Sequence, residues 1–139
     1  MPIQAVLLPV FVLVALTFVL LFWMGSLRIS SIRRGETRIR DIALDQRNWP
    51  SGVTKVANAF RNQLEMPFLF YVLTVFALMA KLADVPFVVM AWLFVLTRLA
   101  HAYIFVTTND VPARFWAYLA GTAILALMWL IFAVRVLSA

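Results

Sequence analysis

The sequence of 139 residues contains no cysteine, and it has few acidic residues: six Asp and Glu against twelve Lys and Arg. Without cysteine the chain has no disulfide, no thiolate metal site and no cysteine nucleophile, so any sulfur chemistry needs a thiol from another molecule. Charged residues make up only 13% of the chain, whereas hydrophobic residues make up 65%. A soluble domain of this size cannot hide so much apolar surface in its core. Composition therefore predicts an integral membrane protein.

Four apolar segments predict an all-α fold, a single four-helix transmembrane domain that covers residues 1–139. A helix crosses a bilayer core of about 30 Å with roughly 20 residues. Pro86 and Pro112 stand where proline suits the first turn of a helix, and Asp84 and Asn109-Asp110 before them are candidate N-caps. The predicted spans are residues 2–24, 53–80, 85–107 and 112–137, with a basic loop at residues 25–52.

The basic residues predict the orientation of the chain, because eight of the twelve lie between residues 28 and 61, in the loop after the first span and at the start of the second. By the positive-inside rule this loop faces the cytoplasm, and both termini lie on the non-cytoplasmic side. The short turns and the lack of an organelle address favour a bacterial inner membrane. Nucleic acid is not expected as a partner, because the basic loop is short and Trp49 is its only aromatic residue.

Strongly polar side chains of all four spans fall at one depth, on the side of the basic loop. They are Arg28 at the cytoplasmic end of the first helix, Arg61, Asn62 and Glu65 of the second, Arg98 and His101 of the third, and Arg114 and Tyr118 of the fourth. A charge inside a membrane is costly, so a cluster at one depth predicts a binding site. Four arginines beside a single carboxylate predict an anionic ligand.

Each of these residues also has a purely structural interpretation. Arg61 and Glu65, four residues apart, could form an intrahelical ion pair. Arg28 and Arg114 could be ordinary anchors at the membrane boundary. His101 taken alone is more often a hydrogen-bonded interior histidine than a ligand or a base. Because polar residues of all four helices fall at the same depth, the binding site is favoured over these separate structural interpretations.

Three short motifs stand at this depth in the second, third and fourth spans. They are Arg61-Asn62-x-x-Glu65, Arg98-x-x-His101, and Arg114 followed four residues later by Tyr118. Together with the four spans and the basic loop, the motifs resemble the MAPEG family, the membrane-associated proteins in eicosanoid and glutathione metabolism. The resemblance implies a homotrimer of four-helix protomers. It also implies glutathione bound between neighbouring subunits on the cytoplasmic side, and a lipophilic small molecule that arrives from the bilayer.

The resemblance also implies roles for individual residues. The residues implied to bind the glutathione cofactor are Arg28, Arg61, Asn62, Glu65, His101, Arg114 and Tyr118. Arg114 takes the catalytic role, because a guanidinium close to sulfur favours the thiolate and makes it available as a nucleophile at neutral pH. The function implied is that of a glutathione-dependent transferase, peroxidase or isomerase acting on a lipophilic electrophile.

The sequence departs from the family pattern at several positions. Asn58 stands where an arginine is expected, Phe105 where a tyrosine is expected, and Phe115 where the thiol usually has a polar neighbour. These departures favour an alternative, a non-enzymatic MAPEG-like membrane protein that binds an anionic lipid or a membrane-protein partner. A small cation exporter is a third interpretation, but it has only Glu65 as an intramembrane acid, and Arg61 lies beside that residue.

Overall fold

Four long helices dominate this computed structural model, which describes all residues from 1 to 139. The long helices are α1 (Ile3–Arg33), α3 (Ser51–Met79), α4 (Val85–Val106) and α5 (Val111–Leu137), and the connector between α1 and α3 carries the short helix α2 (Ile39–Ile42) and a 3₁₀ turn (Gln46–Asn48). Each long helix is long and apolar enough to cross a membrane. The predicted all-α membrane fold is confirmed.

Helix α1 continues to residue 33, although its predicted apolar span ends at residue 24. Two residues after its last residue, Arg33, stands Gly35, whose φ of 75° lies in the left-handed region that favours glycine. The amides of Gly35 and Glu36 donate to the carbonyls of Ile32 and Ser31 at 3.1 and 3.0 Å, which is the Schellman pattern of a helix end. Arg28 therefore lies on a helix, and the connector is shorter than the predicted loop.

The four long helices run alternately up and down, and α1 packs mainly on α3, while α4 packs mainly on α5. Contacts between α3 and α4 join the two pairs, and the rings of Phe70 and Phe94 stack there with centroids 4.9 Å apart. Helix α1 has little contact with α5. The bundle thus has a connector end, which carries residues 34–50 and the α4–α5 turn, and an opposite end, which carries both termini.

The connector folds back against the last turn of α1. The buried hydroxyls of Ser31 and Thr37 lie 2.5 Å apart and share a hydrogen bond. Asp45 caps the 3₁₀ turn by accepting from the side chain and the backbone amide of Arg47 at 3.1 and 3.0 Å. These bonds from Arg47 lower the pKa of the Asp45 carboxyl.

Helices α4 and α5 approach each other closely at Gly121. A Cβ placed on Gly121 would lie 2.7 Å from Oγ1 of Thr97, which is closer than two such atoms normally come. The same hydroxyl donates to the carbonyl of Phe94 at 2.6 Å, so its rotamer is held in place. A residue without a side chain is therefore needed at position 121.

At the opposite end, Asp84 has two partners. Its Oδ1 accepts from the amide of Phe87 at 3.2 Å, which confirms the predicted N-cap of α4. Its Oδ2 accepts from Nη1 of Arg135 at 2.8 Å, and the same nitrogen donates to the carbonyl of Leu82 at 3.3 Å. One carboxylate thus both starts α4 and ties it to the end of α5.

We expect Gly121→Ala to lower the free energy of unfolding by about 1–3 kcal/mol, because the added methyl group overpacks the contact with Thr97. The loss would occur although alanine favours helix more than glycine does. Thermal unfolding of the purified protein in detergent measures it.

Two variants serve as controls for this contact. Gly25→Ala makes the same change where the new Cβ meets nothing within 4 Å, so it should not destabilise the protein. Thr97→Ala removes the clashing hydroxyl, so adding Gly121→Ala to it should cost much less than Gly121→Ala costs alone. Strictly additive losses would contradict the close contact.

Substitutions of Asp84 should separate its two roles. Asp84→Asn retains a capping oxygen and loses the ion pair, which is about 40% exposed on both sides, so we expect a loss below about 1 kcal/mol. Asp84→Ala also loses the cap and should cost roughly 1–2 kcal/mol. Equal losses in denaturant unfolding would mean that the cap contributes nothing, and Arg135→Leu tests the ion pair from the other side.

Candidate functional site

All the predicted site residues lie at the connector end of the bundle, and within one chain they form two groups. The first group lies on α1 and α3, and the second lies on α4 and α5. The first group is Arg28, Arg61, Asn62 and Glu65, and the second is His101, Arg114 and Tyr118. Since α1 has little contact with α5, Arg28 and Arg114 are not brought together within one chain.

Arg28 is half-buried where the connector returns toward α3. Its Nη2 donates to Oε1 of Gln46 at 3.2 Å, and its Cζ lies 5.1 Å from the centroid of the Trp49 ring. The indole of Trp49 donates to the same Gln46 oxygen at 3.1 Å. The buried Nε of Arg28 has no partner in the chain, so this nitrogen is available to a ligand. Arg61 lies near enough for its charge to act on Arg28.

The polar stripe of α3 faces away from the interior of the chain. Arg61 and Glu65 are exposed, and they form no ion pair with each other, because the ion pairs in the structure are Asp45–Arg47 and Asp84–Arg135. The amide nitrogen of Asn62 donates to the carbonyl of Asn58 at 3.1 Å. The intrahelical ion pair is therefore not formed, and neither Arg61 nor Glu65 has a charged partner in the chain.

The α4–α5 group is held together by aromatic contacts. The ring of His101 lies 5.1 Å from the ring of Phe105, edge to face, and 6.0 Å from the ring of Tyr118. The guanidinium carbon of Arg114 lies 4.4 Å above the Phe105 ring, and Nη1 of Arg114 donates to Oδ1 of Asn109 at 2.5 Å. Phe105 thus supports both His101 and Arg114 through its ring, where the family pattern has a tyrosine.

An open groove of about 360 Å³ between α3 and α5 connects the two groups. Glu65 and Tyr118 line its polar end. The rest of the groove is formed by Met66, Leu69, Thr122, Leu125, Ala126 and Trp129. A molecule in this groove would touch a carboxylate and a phenol at one end and apolar side chains along the membrane-spanning part.

Two buried polar residues in this region lie outside the set implied to bind glutathione. Arg98 belongs to the predicted cluster of charges at one depth, whereas Gln63 lies outside that predicted cluster. Both are 1% exposed, and Nη2 of Arg98 donates to the backbone carbonyl of Asn62 at 3.1 Å. Helical spacing could have indicated that Gln63 is buried. It stands four residues after Ala59 and four before Pro67, and all three lie on the buried face of α3.

Comparison with known proteins identifies the family and agrees with the membrane helical fold. The model of the MAPEG family matches residues 6–134, which is nearly the whole chain. No curated protein and no solved structure matches the chain. The four apolar helices and the family match together make the protein a multi-pass integral membrane protein. The chain belongs to the MAPEG family, whose members act in the metabolism of eicosanoids and glutathione.

Proposed function

We propose that the protein is a glutathione-dependent membrane transferase, peroxidase or isomerase that acts on a lipophilic electrophile. The observation that supports this most is the groove between α3 and α5, in which Glu65 and Tyr118 stand at the end of an apolar wall. A polar reactant and an apolar reactant can meet only where both kinds of surface adjoin. The apolar wall is open on the membrane-spanning face, so a lipophilic substrate can enter from the bilayer.

The charges at the connector end fit glutathione, a tripeptide with two carboxylates and one ammonium group. Arg61 has no partner in the chain, and Arg28 has an unpartnered buried Nε, so two guanidinium groups are available for the carboxylates. Glu65 has no cationic partner and can bind the ammonium group. Charge-assisted hydrogen bonds of this kind are about twice as strong as neutral ones. Asn62 adds a neutral amide to the same helical face.

Arg114 is the residue we assign to catalysis. Glutathione, when bound, would supply a thiolate nucleophile, and the Arg114 guanidinium would stabilise its negative charge. The guanidinium of Arg114 is positioned by Phe105 and Asn109, so its charge is fixed before the reaction begins. Tyr118 lies one helical turn further along α5 and provides a hydroxyl at the polar end of the groove. His101 lies beside Tyr118 and fixes the position of its ring.

We further propose that the site is completed by a neighbouring copy of the chain in a homotrimer. Arg28 on α1 and Arg114 on α5 belong to helices with little mutual contact, so a ligand that touches both needs α1 from one copy and α5 from another. The outward direction of Arg61 and Glu65 supports the same arrangement, because unpaired charges on a membrane-facing surface are costly unless a partner covers them. With the connector end in the cytoplasm, glutathione would enter from that side.

We expect Arg114→Ala to lower the rate of glutathione conjugation to a lipophilic aryl halide by about 10²-fold, the usual cost of removing one preorganised electrostatic group. The ultraviolet absorbance of bound thiolate should disappear in the same variant. Stopped-flow absorbance of the purified protein in detergent measures both quantities.

Arg40→Ala is the matched control, because it removes an exposed arginine of α2 at the same end of the bundle. Its rate and thiolate signal should equal those of the wild type. The proposal is wrong if wild-type protein shows neither a thiolate signal nor thermal stabilisation by glutathione, or if Arg40→Ala lowers both as much as Arg114→Ala does.

A second candidate function is non-enzymatic binding of an anionic lipid or of a membrane-protein partner. It is favoured by Phe105, whose ring covers one side of the Arg114 guanidinium where the family pattern has a hydroxyl. In this case the Arg61 and Glu65 face would bind the headgroup. Native mass spectrometry that shows a bound lipid, retained in excess glutathione, would support this candidate over the enzyme.

A further inference from the structure

We propose that Arg98, Gln63 and His101 form an interior site for a small monovalent anion, of the size of chloride, between α3 and α4. None of its residues lines the groove that we assign to glutathione, although the ring of His101 lies 6.0 Å from the ring of Tyr118 at the polar end of that groove. Its constituents are inside the chain, whereas Arg61 and Glu65 face outward. The proposal therefore does not depend on the proposed enzymatic function.

Arg98 carries a charge in the interior without an ion-pair partner. Its side chain is 1% exposed, and the only ion pairs of the structure are elsewhere, at Asp45–Arg47 and Asp84–Arg135. Its single hydrogen bond, 3.1 Å from Nη2 to the carbonyl of Asn62, involves a neutral acceptor. Buried charges in proteins are normally paired, and guanidinium groups stay charged even in apolar surroundings. An anion would provide the missing counter-charge.

The unpartnered atoms around Arg98 are mostly hydrogen-bond donors. Nε and Nη1 of Arg98 and Nε2 of Gln63 are buried without a partner, and every N–H group on these three nitrogens can only donate. The matching acceptors are few, namely Oε1 of Gln63 and, in one tautomer, Nδ1 of His101. An anion accepts several hydrogen bonds at once and donates none. Water would satisfy the donors but would leave the charge of Arg98 uncompensated.

The register of α3 against α4 brings these residues to one level. Phe70 stacks on Phe94, and Ala59 shares a buried cluster with Ala102. The two helices are antiparallel, and these two contacts fix their register. Gln63 lies between Ala59 and Phe70 on α3. It is therefore level with the part of α4 between Phe94 and Ala102, which contains Arg98. The bond from Arg98 to the carbonyl of the residue before Gln63 agrees with this register. His101 follows Arg98 by three residues and therefore shares its helical face.

Glu65 is the one nearby carboxylate, and it does not act as the counter-ion of Arg98. It lies close enough to act electrostatically on Arg98, but it forms no ion pair with it and is exposed on the outer face of α3. Glu65 also accepts no hydrogen bond from Gln63, whose buried Nε2 has no partner in the chain. The charge of Arg98 therefore needs a partner inside the chain.

Thermal unfolding of the detergent-solubilised protein in sodium chloride and in sodium gluconate of equal ionic strength tests the proposal. Gluconate is too large to enter a buried cluster of side chains. We expect the wild-type Tm to be about 5 °C higher in saturating chloride, because a ligand that binds only the folded state stabilises it. Crystals grown in bromide should show an anomalous peak beside Arg98.

Gln63→Glu places a carboxylate beside Arg98 and should abolish both the chloride response and the bromide peak. Arg98→Met removes the charge while conserving most of the side-chain volume, and it should also abolish the response. Arg114→Ala should leave the chloride response unchanged, which separates this site from the one proposed for glutathione. Equal wild-type Tm values in the two salts, or a chloride response that persists in Gln63→Glu, would overturn the proposal.

Discussion

The cost of an unpaired polar group in lipid governs the organisation of this protein. The intramembrane polar residues are gathered at the connector end, and helix α3 carries two distinct sets of them. Gln63 points inward toward α4, while Arg61 and Glu65 point outward. One helix thus carries polar side chains both toward the interior of the chain and on its outer face.

The helix pairing determines which residues can cooperate. Because α1 packs on α3 and α4 packs on α5, each pair carries its own cationic group at the same end. The groove between α3 and α5, with Glu65 and Tyr118 at its polar end, is where the two groups come nearest in one chain. The small residue at position 121 lets α4 and α5 approach closely, and this packing fixes the position of Arg114 relative to Phe105 and His101.

The departures from the family pattern have visible structural consequences. Phe105 offers the face of its ring to Arg114, so a cation–π contact takes the place of a polar contact. Such a contact orients the guanidinium without neutralising it. The positive charge therefore remains available to a thiolate or to another anion.

The sequence by itself determined the class of protein, the four spans, the N-cap at Asp84 and the end of the bundle that carries the polar residues, because hydropathy, capping and charge are local properties. Only the tertiary structure decided that Arg61 and Glu65 remain apart, that Arg28 and Arg114 lie on helices with little mutual contact, and that Gln63 is buried beside Arg98. Helical spacing says which residues share a face. Which face turns toward the neighbouring helices depends on how the whole bundle packs.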